Sequence, residues 1–160
     1  MEKKSAHLNH IRGVANYQFD QNVGTSFFPD EVEISFSHKT GRIRHIYLKK
    51  KLLATLRPKD GFFSLTIEGA QQLSSLITPP RFRVVVQKSM EDFAKQGKNV
   101  FSRHVISADT EIRPGEEVIV TDERNRVLAV GKALLTGREM LVFKRGVAVK
   151  TRRGAGKIEK

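Results

Sequence analysis

One stretch of sequence, RFRVVVQKSMEDFAKQGKNVFSRHVI at residues 81–106, decides how the C-terminal half of this chain folds. Its uniformly apolar Val84-Val85-Val86 centre is typical of a strand buried on both faces, because β-branched side chains pack well in a covered sheet. Ser89 with Asp92 three residues later resembles a capping box, and Gly97 suits the left-handed end of a helix. The stretch therefore predicts a central strand over 81–87, one short helix, and a second strand over 99–106.

The segments that follow continue as short strands separated by turns. Arg113-Pro114-Gly115 places Pro and Gly where a turn favours them, and Asp122 to Arg126 is a polar hairpin turn. Strands are predicted over 117–121, 127–135 and 147–150, and Gly137 to Met140 starts a short helical or looped connection. Many short strands with one or two helices predict a small, partly closed β barrel.

The N-terminal half has a different pattern. Apolar residues at helical spacing over 8–19 predict a helix that breaks near Gly24-Thr25. The period then changes to two, which predicts an antiparallel meander of strands over 31–36, 42–48, 52–57 and 62–67. A helix over 68–77 ends at Pro79-Pro80, because proline disfavours a helical residue before it. The fold class is therefore α+β, with an N-terminal sheet and flanking helices before the barrel.

Composition limits the classes of protein that the chain can represent. The 29 Lys and Arg against 17 Asp and Glu give a net charge of +12, and the half from residue 79 onward carries 18 basic and 10 acidic side chains. A folded basic protein usually has a polyanionic partner. The absence of cysteine excludes disulfides and thiolate zinc sites. Without a run of about 18 apolar residues or a signal-peptide core, a cytoplasmic protein with no membrane contact is expected.

Several blocks of the C-terminal half resemble the PUA domain. They are RFRVVV (81–86), GKNVF (97–101), IRPGEEV (112–118), VLAVGKA (127–133) and KRGVAVK (144–150). The resemblance implies a β pseudo-barrel with one or two short helices that binds RNA.

The N-terminal half is similar to the pre-PUA segment of archaeal tRNA-guanine transglycosylases and their archaeosine-synthase relatives. The matching blocks are IRGVANYQF (11–19), TGRIRH (40–45) and ATLRPKDG (54–61). We therefore expect a pre-PUA domain over 1–78, a PUA domain over 79–154, and a mobile basic tail over 155–160.

The resemblance implies a non-catalytic RNA-binding protein that recognises structured RNA, most specifically the tRNA acceptor stem. Transglycosylases of this kind use a large barrel domain with Asp nucleophiles and a cysteine-rich zinc site, which this chain lacks. The implied role is in archaeosine formation, as a separate subunit or accessory to a catalytic transglycosylase. Two alternatives stay open: a translation-associated PUA factor that binds the ribosome or initiator tRNA, and a small enzyme that acts on tRNA by itself.

PUA domains commonly meet RNA where their helix joins the next strand, so the predicted RNA-binding residues centre on Gly97. Glycine lets a phosphate approach the backbone, and lysines supply positive potential. The final strand would extend this site into one basic stripe if it lies beside residues 99–103. The predicted set is Lys95, Gly97, Lys98, Asn99, Arg103, His104, Lys144, Arg145, Gly146, Lys150, Arg152 and Arg153.

Other candidates are weaker. Arg42, Arg44 and the turn Lys49, Lys50 and Lys51 form a second basic cluster, predicted as a secondary RNA-binding site or else as a solvated hairpin tip. Phe101 is expected to pack in the core rather than to stack on a base.

No metal, cofactor or catalytic centre is expected. His7 and His10 have i, i+3 spacing but no nearby carboxylates or cysteines to complete a metal site. Asp60 and Asp122 lie in predicted turns, where Asp is favoured for conformational reasons.

Overall fold

The computed structural model describes residues 2–157, which fall into two compact units divided between Ile77 and Thr78. Both units combine strands with helices, so the predicted α+β class is confirmed. No helix within the described residues is long and apolar enough to cross a membrane.

The N-terminal unit contains an antiparallel meander with helices on either side of it in sequence. The strands pair in the order β1-β2-β3-β4, as predicted. The elements are α1 (Glu2–Gln18), α2 (Val23–Phe27), β1 (Glu33–Phe36), β2 (Ile43–Leu48), β3 (Lys51–Leu56), β4 (Phe63–Leu65) and α3 (Ile67–Leu76).

The helix break predicted at Gly24-Thr25 is wrong. Both residues lie inside α2, and the chain leaves α1 earlier, before Asn22, whose φ of 69° lies in the left-handed region. Asn tolerates that region better than most residues because its short side chain can hydrogen-bond locally. The left-handed Asn, rather than the glycine, therefore marks the break.

Aromatic rings fill the core of the N-terminal unit. The ring centroids of Phe27 and Phe28 lie 4.4 Å apart, and those of Phe28 and Phe63 lie 5.2 Å apart. The Gln18 amide fixes the end of α1 to β4, since its Nε2 donates to the Phe63 carbonyl and its Oε1 accepts from the Phe63 N–H. At α3 the Thr66 hydroxyl accepts the N–H of Gly69, an N-cap that satisfies one exposed helix donor.

The C-terminal unit is a nearly closed, barrel-like sheet of six strands in the order β6-β10-β9-β8-β5-β7. β5 and β8 run parallel, and the other neighbours run antiparallel. β5 has a neighbouring strand on each side, as a buried strand requires. It is the second strand from one edge of the sheet, however, and not the central strand that we predicted. The elements are β5 (Arg83–Val86), α4 (Glu91–Lys95), β6 (Val100–Phe101), β7 (Val105–Ala108), β8 (Glu117–Thr121), β9 (Val127–Ala133), α5 (Gly137–Val142) and β10 (Val147–Gly154).

Two local predictions in this unit are wrong. The strand expected over 99–106 is split, because Ser102–His104 forms a 3-10 turn between β6 and β7. The capping box expected at Ser89 is absent from a helix that begins only at Glu91; the Ser89 hydroxyl instead accepts from the Gln87 amide. A capping box does occur at α5, where Thr136 and Glu139 each bond the other's backbone N–H.

The last described residues have regular structure. Gly154 closes β10, and Ala155–Lys157 forms a 3-10 turn. The tail predicted to be mobile over 155–160 therefore begins with a regular turn, and residues 158–160 lie outside the described residues.

Candidate nucleic-acid interface

The junction between α4 and β6 is built on Gly97, whose φ of 88° is left-handed. Its N–H donates to the Ala94 carbonyl at 2.9 Å, and the Lys98 N–H donates to the Phe93 carbonyl at 3.1 Å. This is the bonding pattern of a Schellman C-cap. Both amides are thus bonded within the protein, so the junction offers a phosphate its exposed lysine side chains and not these two backbone N–H groups.

The last strand lies beside β6. Val147 pairs with Phe101, and Val149 pairs with Val100. Two further bonds tie the segments together: the Asn99 Oδ1 accepts the Thr151 N–H at 3.0 Å, and the Gly146 carbonyl accepts the Ser102 N–H at 3.0 Å. The condition for one continuous basic stripe, a final strand next to residues 99–103, is therefore met. The side-chain oxygen of Asn99 takes part in this pairing, although Asn99 is exposed.

The end of β10 reaches the end of α4 because Gly154 has no side chain. A Cβ at this position would lie 2.2 Å from the Lys95 carbonyl oxygen and 2.5 Å from the Gly97 nitrogen, both backbone atoms. This close approach brings Arg153 and the helix-to-strand junction to the same end of the unit.

Seven of the predicted cations are exposed and come from the segments that this packing brings together. Within residues 2–157 none of them forms a salt bridge with a carboxylate. They are Lys95, Lys98, Arg103, Lys144, Arg145, Lys150 and Arg153, and we name this set the basic stripe. Gly146, with a φ of 100°, lets the chain turn between Arg145 and β10.

Arg152 does not belong to the basic stripe, although the sequence placed it there. It is the extra residue of a β-bulge in β10, between Thr151, which pairs with Gly131, and Arg153, which pairs with Val130. A bulge redirects the side chain of its extra residue. The Arg152 guanidinium forms a two-pronged ion pair with Glu117, whose side chain has an exposed fraction of 0%. Its charge therefore compensates a buried carboxylate.

Phe101 is not a core residue, and that prediction is wrong. Its exposed fraction is 42%, whereas its neighbour Val100 is buried. The Arg103 guanidinium carbon lies 5.7 Å from the centre of the Phe101 ring, and the His104 ring meets it edge-on at 6.4 Å. An exposed aromatic face beside cations is a surface on which an unpaired base can stack. Adjacent strand residues point to opposite faces, so Val100 and Phe101 could not both pack inward.

His104 carries little positive charge near neutral pH. Partial burial lowers its pKa, and the positive charge of Arg103 lowers it further. The Arg103 Nε lies 3.3 Å from the His104 Nε2, as expected for a neutral imidazole that accepts a hydrogen bond. His104 therefore orients Arg103.

The second basic cluster is divided. Lys49 and Lys50, with φ of 51° and 67°, form the two-residue turn between β2 and β3, where the primed turn types require such values. Arg42 precedes β2, so the length of the strand places it roughly 20 Å from the lysine turn. Arg44 lies within β2 and is only partly exposed. The five residues therefore do not form one patch.

The carboxylates considered for catalysis support turns. Asp60 accepts the Phe62 N–H and pairs with Arg57, and Asp122 accepts the N–H groups of Arg124 and Arg126. Within residues 2–157 no group of His, Cys, Asp or Glu side chains is arranged to hold a metal ion.

Two families match the chain, one in each half. Residues 9–80 match the patch-forming domain C2 of tRNA-guanine transglycosylase, and residues 82–155 match the PUA domain. Similar curated proteins are the tRNA-guanine(15) transglycosylases of Pyrococcus abyssi, 46% identical over 92% of this chain, and of Thermoplasma acidophilum, 42% identical over 98%. In both cases the match covers 25% of the relative, so this chain spans about a quarter of these enzymes.

Solved structures share the fold along almost the entire chain. A hypothetical protein from Pyrococcus horikoshii superposes with a TM-score of 0.76 at 22% identity, covering 100% of this chain and 97% of that one. A conserved PUA domain protein from Thermoplasma acidophilum gives 0.68 at 21% identity, covering 96% and 91%. At these identities the likeness concerns the fold.

Proposed function

This chain is a PUA-domain protein related to the C-terminal part of archaeal tRNA-guanine transglycosylases, and on that premise we propose that it binds tRNA without catalysing a reaction. The target is the acceptor stem with its single-stranded 3′ end. The binding residues are the basic stripe, with Phe101 beside it.

The observation that carries the proposal is the packing of β10 between β9 and β6. It combines the exposed cations of three separate segments, 95–103, 144–145 and 150–153, into one surface of an RNA-binding fold. A-form RNA hides its base edges in a deep, narrow groove, so proteins recognise its phosphates and shape and read bases only where they are unpaired. A row of cations with an exposed aromatic ring beside it suits an RNA that presents both stem phosphates and an unpaired base.

The relatives support tRNA as the RNA. They are named for acting on guanine 15 of tRNA, and the parts of them that match this chain make up about a quarter of their length. The match covers the C2 and PUA domains and not the remaining three quarters, which supports a non-catalytic role. We propose that the chain serves archaeosine formation, together with a separate transglycosylase, in the cytoplasm.

A binding titration tests the RNA target. Labelled tRNA, the same tRNA without its 3′ single-stranded end, and a double-stranded RNA of equal length are titrated with the full chain. We expect the intact tRNA to bind tightest and the loss of the 3′ end to weaken binding by about fivefold or more, since a stacked base contributes on that scale. Equal affinity for all three RNAs would contradict acceptor-end recognition.

A second experiment tests the role. Base exchange at guanine in tRNA is assayed with this chain alone and with an archaeal transglycosylase catalytic subunit added. We expect no turnover by the chain alone and capture of the transglycosylase in a pull-down. Turnover by the purified chain, or capture of small ribosomal subunits instead, would select the enzyme or the translation-associated alternative.

A further inference from the structure

The N-terminal unit contains a cavity of about 990 Å³ that is separate from the basic stripe. Its walls come from α1, the end of β1, the loop before β2, the start of β2, and the turn after β3. Cavities that bind small ligands have volumes of roughly 300–1,000 Å³, so one nucleotide has ample room here.

The walls of the cavity are rich in positive charge. Lys39, Arg42, Arg44 and Arg57 line it, and none of its described lining residues is acidic. Asp60 lies next to the cavity and pairs with Arg57 at 3.0 Å, which leaves the other three cations without a carboxylate partner within residues 2–157. Such a cavity favours an anion.

Four of the five histidines of the chain also line the cavity: His7 and His10 from α1, His38 from the loop, and His45 from β2. Imidazoles can bond an anion, stack on a base, and gain positive charge as the pH falls below about 7. Because these four side chains lie outside any metal-binding arrangement within the described residues, an anion accounts for them better than a cation.

A β-bulge explains how the cavity receives two basic side chains from consecutive positions of one strand. Ser35 pairs with His45 and Phe36 pairs with Ile43, so Arg44 is the extra residue of β2. In a regular strand Arg44 and His45 would point to opposite faces, whereas a bulge redirects the extra side chain. Both residues therefore line the cavity.

The cavity also has an aromatic wall. Phe36, at the end of β1, has an exposed fraction of 39%, and its ring lies 4.9 Å from the His7 ring at an angle of 60°. The exposed part of the ring is therefore accessible to a ligand in the cavity. Aromatic rings next to cations are the combination on which unpaired bases stack in single-stranded RNA sites.

We propose that this cavity holds one unpaired nucleotide of the bound RNA, with its phosphate between Arg42 and Arg44 and its base against Phe36. The inference rests on the proposed function, since it assumes that RNA is the ligand of the chain. A free mononucleotide shares this chemistry, and the experiment below separates the two.

NMR of the full chain detects ligand binding at this site through the imidazole signals of its histidines. His104 lies in the other unit, beside Arg103 of the basic stripe, so its signal reports RNA bound at the stripe, whereas the imidazole signals of the four cavity histidines report on the cavity. The probes are a short single-stranded oligoribonucleotide, adenosine 5′-monophosphate and inorganic phosphate. We expect the oligoribonucleotide to shift the cavity signals and to bind about tenfold or more tightly than the monophosphate, because further phosphates add to the attraction.

Three variants assign the contacts. Phe36→Leu retains an apolar side chain but removes the ring, and we expect it to weaken the oligoribonucleotide by about fivefold or more. The double variant Arg42→Gln and Arg44→Gln should reduce the salt dependence of binding by about one phosphate contact, because both side chains are assigned to the same phosphate. Lys59→Ala, which removes an exposed charge near the cavity but not in its wall, should change the affinity less than about twofold.

The pH dependence gives a further readout. The charged and titratable groups around the site are His7 and His10 on α1, His38, Lys39 and Arg42 in the loop, Arg44 and His45 on β2, and Arg57 with Asp60 after β3. Partial burial and Arg44 lower the pKa of His45, so it is neutral at pH 7. Binding of an anion should therefore tighten as the pH falls through the lowered pKa of His45, because its protonation adds a positive charge to the cavity wall.

The outcomes separate this inference from the proposed function. If tRNA binds the wild-type chain and shifts His104 while the cavity histidines and the variants are unaffected, the cavity assignment fails and the RNA-binding function stands. If the monophosphate binds as tightly as the oligoribonucleotide, the site is for a free nucleotide and the assignment to RNA is overturned. If no RNA binds at all, both fail.

Discussion

Neighbouring arginines at residues 152 and 153 have different roles. Arg152 neutralises the buried carboxylate of Glu117, whereas Arg153 is exposed and belongs to the basic stripe. Removing one partner of a buried ion pair leaves an uncompensated charge, so Arg152→Ala should lower the free energy of unfolding by about 3 kcal/mol. Arg153→Ala should leave it within about 0.5 kcal/mol and instead weaken tRNA binding. Urea unfolding and tRNA titration of both variants check this, and the reverse assignment would be a contradiction.

The carboxylate of Asp122 stabilises the hairpin turn between β8 and β9 in its charged form. Burial acts to raise its pKa, but bonds from the Arg126 and Arg124 backbone and from the Arg126 side chain outweigh that and lower it. A lowered pKa in the folded state means that the stabilisation is present above the unfolded value of about 4 and is lost as the pH falls through the folded value. The turn is thus weakened only in acid.

The variant Asp122→Asn tests whether the charged form of Asp122 stabilises the fold. At pH 7 we expect it to lower the free energy of unfolding by about 1.5–3 kcal/mol, the contribution of hydrogen bonds to a charged group. At pH 2 the difference from the wild type should shrink, because the stabilisation from the charged carboxylate is lost as the pH falls through its lowered pKa. Glu123→Gln, an exposed neighbour, is the control and should change little at either pH. A penalty that is equally large at both pH values would argue against a charge effect.

At the scale of elements, the contact between the ends of α4 and β10 shapes the basic stripe. Gly154→Ala would place a methyl group on the Lys95 carbonyl oxygen. Because backbone atoms cannot move aside cheaply, we expect a loss of about 1–3 kcal/mol in stability and weaker tRNA binding.

Gly13→Ala is the matched control for Gly154→Ala. The helix α1 has open space around Gly13, so alanine should be neutral or slightly stabilising there. Thermal unfolding and tRNA titration measure both effects. If Gly154→Ala is as well tolerated as Gly13→Ala, the close approach does not shape the site.

The elements also mark the limit of what sequence can predict. Alternation and turn residues predict the meander of β1 to β4 and the strand set of the barrel, because both depend on local patterns. The split at Ser102 is not visible in the sequence, because the pairing of β6 with β10 and of β7 with β5 produces it. Tertiary pairing of this kind overrides local propensity.

The same limit applies to the candidate site. The cations and the helix-to-strand junction can be predicted, since charge and glycine are legible in the sequence. The exception of Arg152 depends on a bulge in β10, and the cavity of the N-terminal unit depends on another bulge at Arg44. Bulges insert a residue into a strand without a clear local signal, so sequence patterns do not show where the redirected side chains lie.

At the scale of the whole molecule, the net charge of +12 attracts any polyanion. The fold determines which of the positive side chains lie together on one surface. Residues 82–155 match the PUA domain, an RNA-binding fold, and for this reason we propose RNA as the polyanion. We propose that the exposed cations of the C-terminal unit hold the phosphates of tRNA.

The most direct test measures how tRNA binding depends on salt concentration for the wild-type chain and for one triple variant. This variant carries Lys95→Ala, Lys98→Ala and Arg153→Ala together. Each lost phosphate contact lowers the slope of log affinity against log salt concentration by about one, so the triple variant should lose about three from the slope and bind much more weakly at low salt. A control variant with Lys3→Ala, Lys4→Ala and Lys59→Ala removes the same charge from exposed positions of the N-terminal unit and should retain the wild-type slope. Equal slopes for the wild type and the basic-stripe variant, or equal losses in both variants, would contradict the account.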